Sequence, residues 1–139
     1  MMAASAPVPD HESAPWWQAL REHRLMVQTC TTCEHRWLPR TPGCPYCGAT
    51  TLHDVDAPGP GTVYSYVRAH RPMSPAMAGD TPYTIAAVDL DGGGRVFARV
   101  EGDAIGIGMR VAPRFVDHDG WTELRMAPDG ATGPEGSQR

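Results

Sequence analysis

The only four cysteines of the 139-residue chain fall in the pattern Cys30-x2-Cys33-x10-Cys44-x2-Cys47. Two knuckles of this kind can bring four thiolates to the corners of a tetrahedron, the geometry of a closed zinc site, and Cys44-Pro-Tyr-Cys-Gly48 supplies a tight turn. The spacing therefore predicts one structural Zn2+ held by Cys30, Cys33, Cys44 and Cys47. Two disulfides would need an oxidising compartment, and the polar, Pro-rich N-terminus carries no export signal. A redox dithiol needs only one pair, on a βαβ scaffold that this sequence lacks. Iron suits the same sulfur tetrahedron; zinc is the expectation.

Four protein thiolates leave no open position for a water molecule, so the metal is expected to be architectural and no cysteine remains as a nucleophile. All twelve basic residues are arginine, which excludes a Schiff-base or P-loop lysine. No G-x-S-x-G elbow, H-E-x-x-H helix or G-x-G-x-x-G turn is present. The six histidines are scattered. His35 lies inside the cysteine pattern, and His70 stands beside Arg68 and Arg71 at a strand end. No set of catalytic residues emerges, and the sequence reads as non-catalytic on its own.

The cysteines must be positioned by the elements that flank them. Ser13 can cap a short helix with Pro15 in its first turn, on which Trp16, Trp17 and Leu20 form one apolar face. Leu25–Gln28 approaches the first cysteine pair, Arg36–Arg40 returns toward the second, and Thr50–Asp56 leaves it. The stretch Ala57-Pro-Gly-Pro-Gly61 stops regular structure and marks a module boundary.

Beyond it the pattern changes to period two. Thr62–His70 alternates, with Val63, Ser65, Val67 and Ala69 on one face and Tyr64, Tyr66 and Arg68 on the other. Tyr83–Leu90 and Arg95–Val100 flank a hairpin signal, Asp91-Gly-Gly-Gly94, and Met109–Val116 and Trp121–Met126 flank a turn at Asp117–Gly120. Five short strands predict a small closed barrel, and the strand count alone does not separate an OB-fold from an SH3-like barrel. The segment Arg71–Pro82 is too long for a tight hairpin and is a candidate docking loop. The fold expectation is mainly β: a disordered stretch over 1–12, helix plus zinc ribbon over 13–57, a barrel over 58–128, and a disordered tail over 129–139. No apolar run approaches the ~18 to 20 residues of a membrane-spanning helix, and a cytoplasmic location is expected.

The order of a Trp-rich helix, Leu25-Met-Val-Gln-Thr-Cys-Thr-Thr-Cys33, Pro39-Arg40, Cys44-Pro-Tyr-Cys-Gly48 and Gly59-Pro-Gly-Thr-Val-Tyr-Ser-Tyr66 resembles the DUF35 family. Pro82-Tyr83, Val96–Val100 and Ile107-Gly-Met-Arg-Val111 extend the likeness, which covers Trp16 to Met126. Glu34 stands where the family has glycine, and Leu124 and Pro128 stand for its closing Phe and Pro. The resemblance implies a rubredoxin-like zinc ribbon joined to a five-stranded OB-fold. It also implies an accessory subunit of thiolase-superfamily enzymes, which docks on the catalytic subunit and helps hold an acyl-CoA. The partner it favours is a lipid-transfer-protein-like retro-aldolase that cleaves a β-hydroxyacyl-CoA in steroid side-chain degradation; thiolase, synthase and hydratase complexes are the alternatives.

Guanidinium forks match the phosphates of CoA, so Arg68, Arg71, Arg99, Arg110 and Arg114, with His70, are candidates for CoA or for the interface, as are Trp16 and Trp17. Zinc ribbons and OB-folds also bind single-stranded nucleic acid, and Tyr64, Tyr66 and Phe97 could stack bases. Against that, the net charge is −4, and between 58 and 128 seven arginines meet eight carboxylates. A freestanding enzyme is the third class, and it lacks residues to carry it.

Overall fold

The computed structural model describes residues 6–129. The disorder expected over 1–5 and 130–139 concerns residues outside that range.

Helix α1 spans Ala14–Arg21. Ser13 does not cap it with its side chain. Instead the Asp10 carboxylate accepts the Ser13 amide at 2.7 Å, while Ser13 Oγ accepts the Asp10 amide at 3.0 Å. This reciprocal pair is a capping box set one turn earlier, and residues 11–13 form the entry turn. The Ser13 amide also holds the Asp10 carboxyl below its ordinary range. Leu20 is buried, Trp16 and Trp17 pack against the main core, and Trp17 meets Trp121 edge-on at 6.1 Å.

The ribbon sheet comprises β1 (Met26–Cys30), β2 (Arg36–Trp37) and β3 (Leu52–Asp56), antiparallel in the order β2-β1-β3. The returning strand stops at Trp37, short of the expected Arg40. Pro39 has no N–H to give a ladder, and Arg40 turns inward to the Glu12 carbonyl at 2.8 Å and the Asp54 carboxylate.

Five strands close the barrel: β4 (Gly61–Ala69), β5 (Tyr83–Leu90), β6 (Arg95–Val100), β7 (Arg110–His118) and β8 (Trp121–Pro128). Their order around it is β4-β5-β6-β8-β7, with β6 and β8 parallel. Inserting β8 between β6 and β7 is the Greek-key closure of an OB-fold, and it decides against a simple up-and-down barrel. The last strand reaches Pro128, which pairs with Val111.

Strand β4 departs from the alternation expected of it. A bulge between Val63 and Ser65 inserts Tyr64 and reverses the phase of the remaining strand. Val63 is buried, but Ser65 and Val67 pair with Ala87 and Ile85 on the outer face of β5, and Val67 is 62% exposed. The interior is filled by Val63, Ala86, Val88, Val100, Val111 and Met126. Leu25, Val27 and Leu38 of the ribbon join that same core.

The Asp91–Gly94 turn fastens the two modules together. Gly93 has φ +113°, and a Cβ there would lie 3.0 Å from the Arg36 carbonyl oxygen. The turn therefore needs glycine both for its backbone angle and for its close approach to β2. The loop before β5 carries a 3-10 helix at Pro75–Asp80, through which Asp80 reaches Arg99.

Candidate metal centre and charged surface

The cysteine pattern folds as two copies of one turn. In the first, the Glu34 amide donates to the Cys30 carbonyl at 2.9 Å, and the Cys30 amide donates to the His35 carbonyl at 3.1 Å. In the second, Gly48 donates to Cys44 at 2.9 Å, and Cys44 donates to Ala49 at 2.8 Å. Each turn needs a left-handed residue after its second cysteine. Gly48 takes it at φ +81° without steric cost, whereas Glu34 takes it at φ +67° against its own Cβ.

The two turns face each other so that the four Sγ atoms all lie within 4.8 Å of one another. Cys30 and Cys47 are 3.6 Å apart and Cys33 and Cys44 are 3.5 Å apart. A tetrahedron of metal–sulfur bonds of about 2.3 Å has edges of about 3.8 Å, so the set fits one zinc-sized ion. The amides of Thr32, Tyr46 and Cys47 donate to Cys30 and Cys44 at 3.3 to 3.4 Å, as suits anionic sulfur.

The Cys33 and Thr32 amides, opposed by burial, pull the Cys30 thiol down to about 6. The His35 amide also pulls on Cys33, but burial and the neighbouring thiols outweigh it and push Cys33 up to about 12. A divalent cation bound by the four sulfurs would displace the protons that these thiols carry.

Beside the sulfurs stand residues whose role the cysteine spacing did not reveal. Trp37 is buried with Cys30 and Cys44, and its Nε1 donates to Thr41 Oγ1 at 2.9 Å. Buried Gln28 accepts the Thr41 amide at 2.7 Å and donates to the Thr41 carbonyl at 3.1 Å. His35 stacks on Tyr46 at 4.1 Å and places Nδ1 3.3 Å from Cys33 Sγ. Thr41, between the two cysteine pairs, and Gln28, just before the first, carried no spacing signal that joined them.

The arginine candidates divide into two groups. Arg99 binds Asp80 at 3.0 Å, Arg110 grips Asp91 at 2.8 and 2.5 Å, and Arg114 meets Glu101 at 3.1 Å. Arg110 holds the Asp91 carboxyl below its ordinary range. Arg68 and Arg71 have no carboxylate partner among the described residues, and with His70 they sit together, exposed, at the end of β4. Trp16 and Trp17 pack on the barrel, and Trp16 lines a mainly apolar 410 Å³ cavity with Leu38, Pro39 and Phe97.

Comparison with known proteins agrees with this construction. Residues 17–53 match the family model described as "ChsH2, rubredoxin-like zinc ribbon domain", and residues 54–116 match "ChsH2, C-terminal OB-fold domain". A "DUF35 domain-containing scaffold protein" of Pyrococcus furiosus is 32% identical over 69% of this chain and 72% of its own length. The chain belongs to the DUF35 family.

Among solved structures, a chain of "Ltp2-ChsH2(DUF35) aldolase" superposes with a TM-score of 0.79 at 35% identity, covering 88% of this chain and 98% of that one. A DUF35 protein of Sulfolobus solfataricus, 16% identical, shares the fold with a TM-score of 0.64 over 86% of each chain. Two longer relatives are also similar. The "Probable enoyl-CoA hydratase alpha subunit" of Thermomonospora curvata is 37% identical over 81% of this chain. The "3-oxo-4,17-pregnadiene-20-carboxyl-CoA hydratase alpha subunit" of Mycobacterium tuberculosis is 28% identical over 91%. The chain spans only 36% and 41% of their respective lengths.

Proposed function

We propose that this DUF35 chain is a non-catalytic subunit that docks on a thiolase-fold enzyme and helps bind its acyl-CoA, with zinc as the structural metal of the ribbon. The enzyme we favour is a retro-aldolase that cleaves a β-hydroxyacyl-CoA of a steroid side chain into a carbonyl compound and a shorter acyl-CoA. The observation that carries this reading is the likeness to the DUF35 chain of an aldolase, which extends over 98% of that chain. The chemistry of the residues supports it. All four thiols converge on one metal-sized cluster, and the chain has no lysine to serve as an amine nucleophile.

Within such a complex Cys30, Cys33, Cys44 and Cys47 would hold the zinc, which supplies a fixed cross-link between the two knuckles. Of the cationic candidates at the end of β4, Arg71 and His70 are the ones we favour for CoA phosphates, because neither is engaged by a carboxylate among the described residues. Arg99, Arg110 and Arg114 are already satisfied by their own acids, so they are the poorer candidates. No helix of the described residues is long and apolar enough to cross a membrane. The cytoplasm is the compartment this reading assigns, since that is where a partner acting on a CoA ester would work.

The hydratase alpha subunits favour a second reading, a subunit of an acyl-CoA hydratase complex, although the chain matches less than half of each. Co-expression with the thiolase-superfamily and hydratase-like proteins of its own source separates the two. A stable complex that performs aldol cleavage only when both chains are present supports the proposal. Full activity of the enzyme without this chain contradicts it.

A further inference from the structure

One edge of the barrel is left bare by the fold. β4 pairs with β5 from Gly61 to Ala69, but with β7 only at Gly61 and Thr62. Val63 closes the seam, accepting from the Gly108 amide at 2.8 Å and donating to the Met109 carbonyl at 2.9 Å. From Tyr64 to Ala69 no backbone bond runs to that side among the described residues. Six extended residues run about 20 Å, and their N–H and C=O groups that point away from β5 are unpaired among the described residues.

Natural edges are blunted by lysine, proline, bulges, inward charge or a covering loop. Here the Tyr64 bulge lies at the start of the bare stretch, and Tyr64-Ser-Tyr-Val67 beyond the seam is rich in strand-forming residues. Val67 is 62% exposed, and Ile107, next to the last closing bond, is 73% exposed. Arg68 is the one formal charge in the segment. Its guanidinium reaches only Thr84 Oγ1 at 3.5 Å and the Asp103 carbonyl at 3.4 Å.

We propose that the β4 edge from Tyr64 to Ala69 is a strand-addition site for an extended segment of the catalytic partner, a segment with apolar side chains over Val67 and Ile107 and a carboxylate facing Arg68. Main-chain bonds supply the affinity of such an interface, and alternate side chains supply its specificity. The unpaired arginine argues for a different chain rather than a second copy. Tyr64–Ala69 contains no acid, so self-pairing within this segment leaves Arg68 without a carboxylate in every register. A partner strand laid here ends beside His70 and Arg71, which makes the interface continuous with the free cationic end of β4.

The inference rests on the accessory-subunit reading, and hydrogen exchange tests the two separately. The probe is the thiolase-superfamily subunit that co-purifies with the chain, compared with the chain alone. Edge amides between Tyr64 and Ala69 should exchange at least tenfold more slowly in the complex. Arg68→Glu, at an exposed position, should weaken the complex at least tenfold while leaving the barrel's unfolding midpoint unchanged. A complex that forms with these amides exchanging as in the free chain overturns the strand-addition site and leaves the subunit reading standing. Protection of the edge by self-association of the free chain also overturns it. Absence of any thiolase-superfamily partner removes both.

Discussion

The barrel buries Val63, Ala86, Val88, Val111 and Met126 to 1% exposure or less, whereas the outer ribbon buries only Cys30, Trp37 and Cys44 as its cluster. The barrel is held by a continuous apolar interior that closes on itself. The outer ribbon substitutes a polar network through Gln28 and Thr41 and a sulfur tetrahedron for the core it is too small to build. Leu25, Val27 and Leu38 lie between the two, rooted in the barrel's core although they belong to the ribbon. The difference teaches where each region is vulnerable: the outer ribbon to loss of metal, the barrel to loss of volume.

The sharpest way to break the contrast is to remove a sulfur. Cys44→Ser should abolish the ordered outer ribbon, since structural zinc contributes on the order of 10 kcal/mol to folding of such units. Amides of Thr31–Ala49 should lose exchange protection while those of β5 and β6 keep most of theirs. Equal loss in both regions would show that the two are one cooperative unit. In the barrel, Met126→Ala should cost about 2 to 5 kcal/mol in denaturant unfolding, because Met126 is fully buried, and should leave metal content unchanged.

The joint between the modules is the next target. Gly93→Ala should destabilise by about 1 to 3 kcal/mol, by adding a Cβ at φ +113° that meets the Arg36 carbonyl.

Acid should separate the regions as well. Burial tends to raise the pKa of half-buried Glu123, but hydrogen bonds from Arg125 and His118 outweigh it and leave it below its ordinary value of 4.5. Arg125 Nε lies 3.1 Å from the carboxylate without hydrogen-bond alignment, so its Nη2, at 3.2 Å, is the donor that matters. A depressed carboxylate stabilises the fold above its unfolded pKa and loses that contribution as pH falls through its folded one. Glu123→Gln should therefore flatten the fall of the barrel's Tm below about pH 4.5. The smallest expected effect sits in the ribbon. Glu34→Gly should stabilise it by about 0.5 to 1 kcal/mol, measured as a higher chelator concentration at the unfolding midpoint.

These particulars also show what was legible in the sequence. A metal knuckle is local, so four cysteines at fixed spacing disclosed the site. The hairpin around Gly92–Gly94 was equally plain, because three glycines between two alternating runs allow little else. The phase of β4 was not legible, since a bulge adds one residue without altering composition, and Tyr64-Ser-Tyr-Val67 reads equally well in either phase. The cap was misread for a similar reason: Asp10 and Ser13 can each serve, and the pair of bonds chose Asp10. Which arginines remain free was hidden because their acids lie far away in sequence, Asp80 by 19 residues from Arg99 and Glu101 by 13 from Arg114. Such pairings are set by where the 3-10 helix at Pro75–Asp80, the Asp91 turn and the end of β6 fold back onto neighbouring strands, which periodicity does not encode.

The central claim is that all four thiols serve architecture and none serves chemistry. Metal analysis of the purified chain, combined with titration by a thiol reagent before and after chelation, tests it most directly. The account predicts one zinc per chain, no reactive thiol in the folded protein, and four reactive thiols once the metal is withdrawn and the ribbon opens. Thiols that react freely in the folded, metal-free chain, with the ribbon's exchange protection intact, would contradict it.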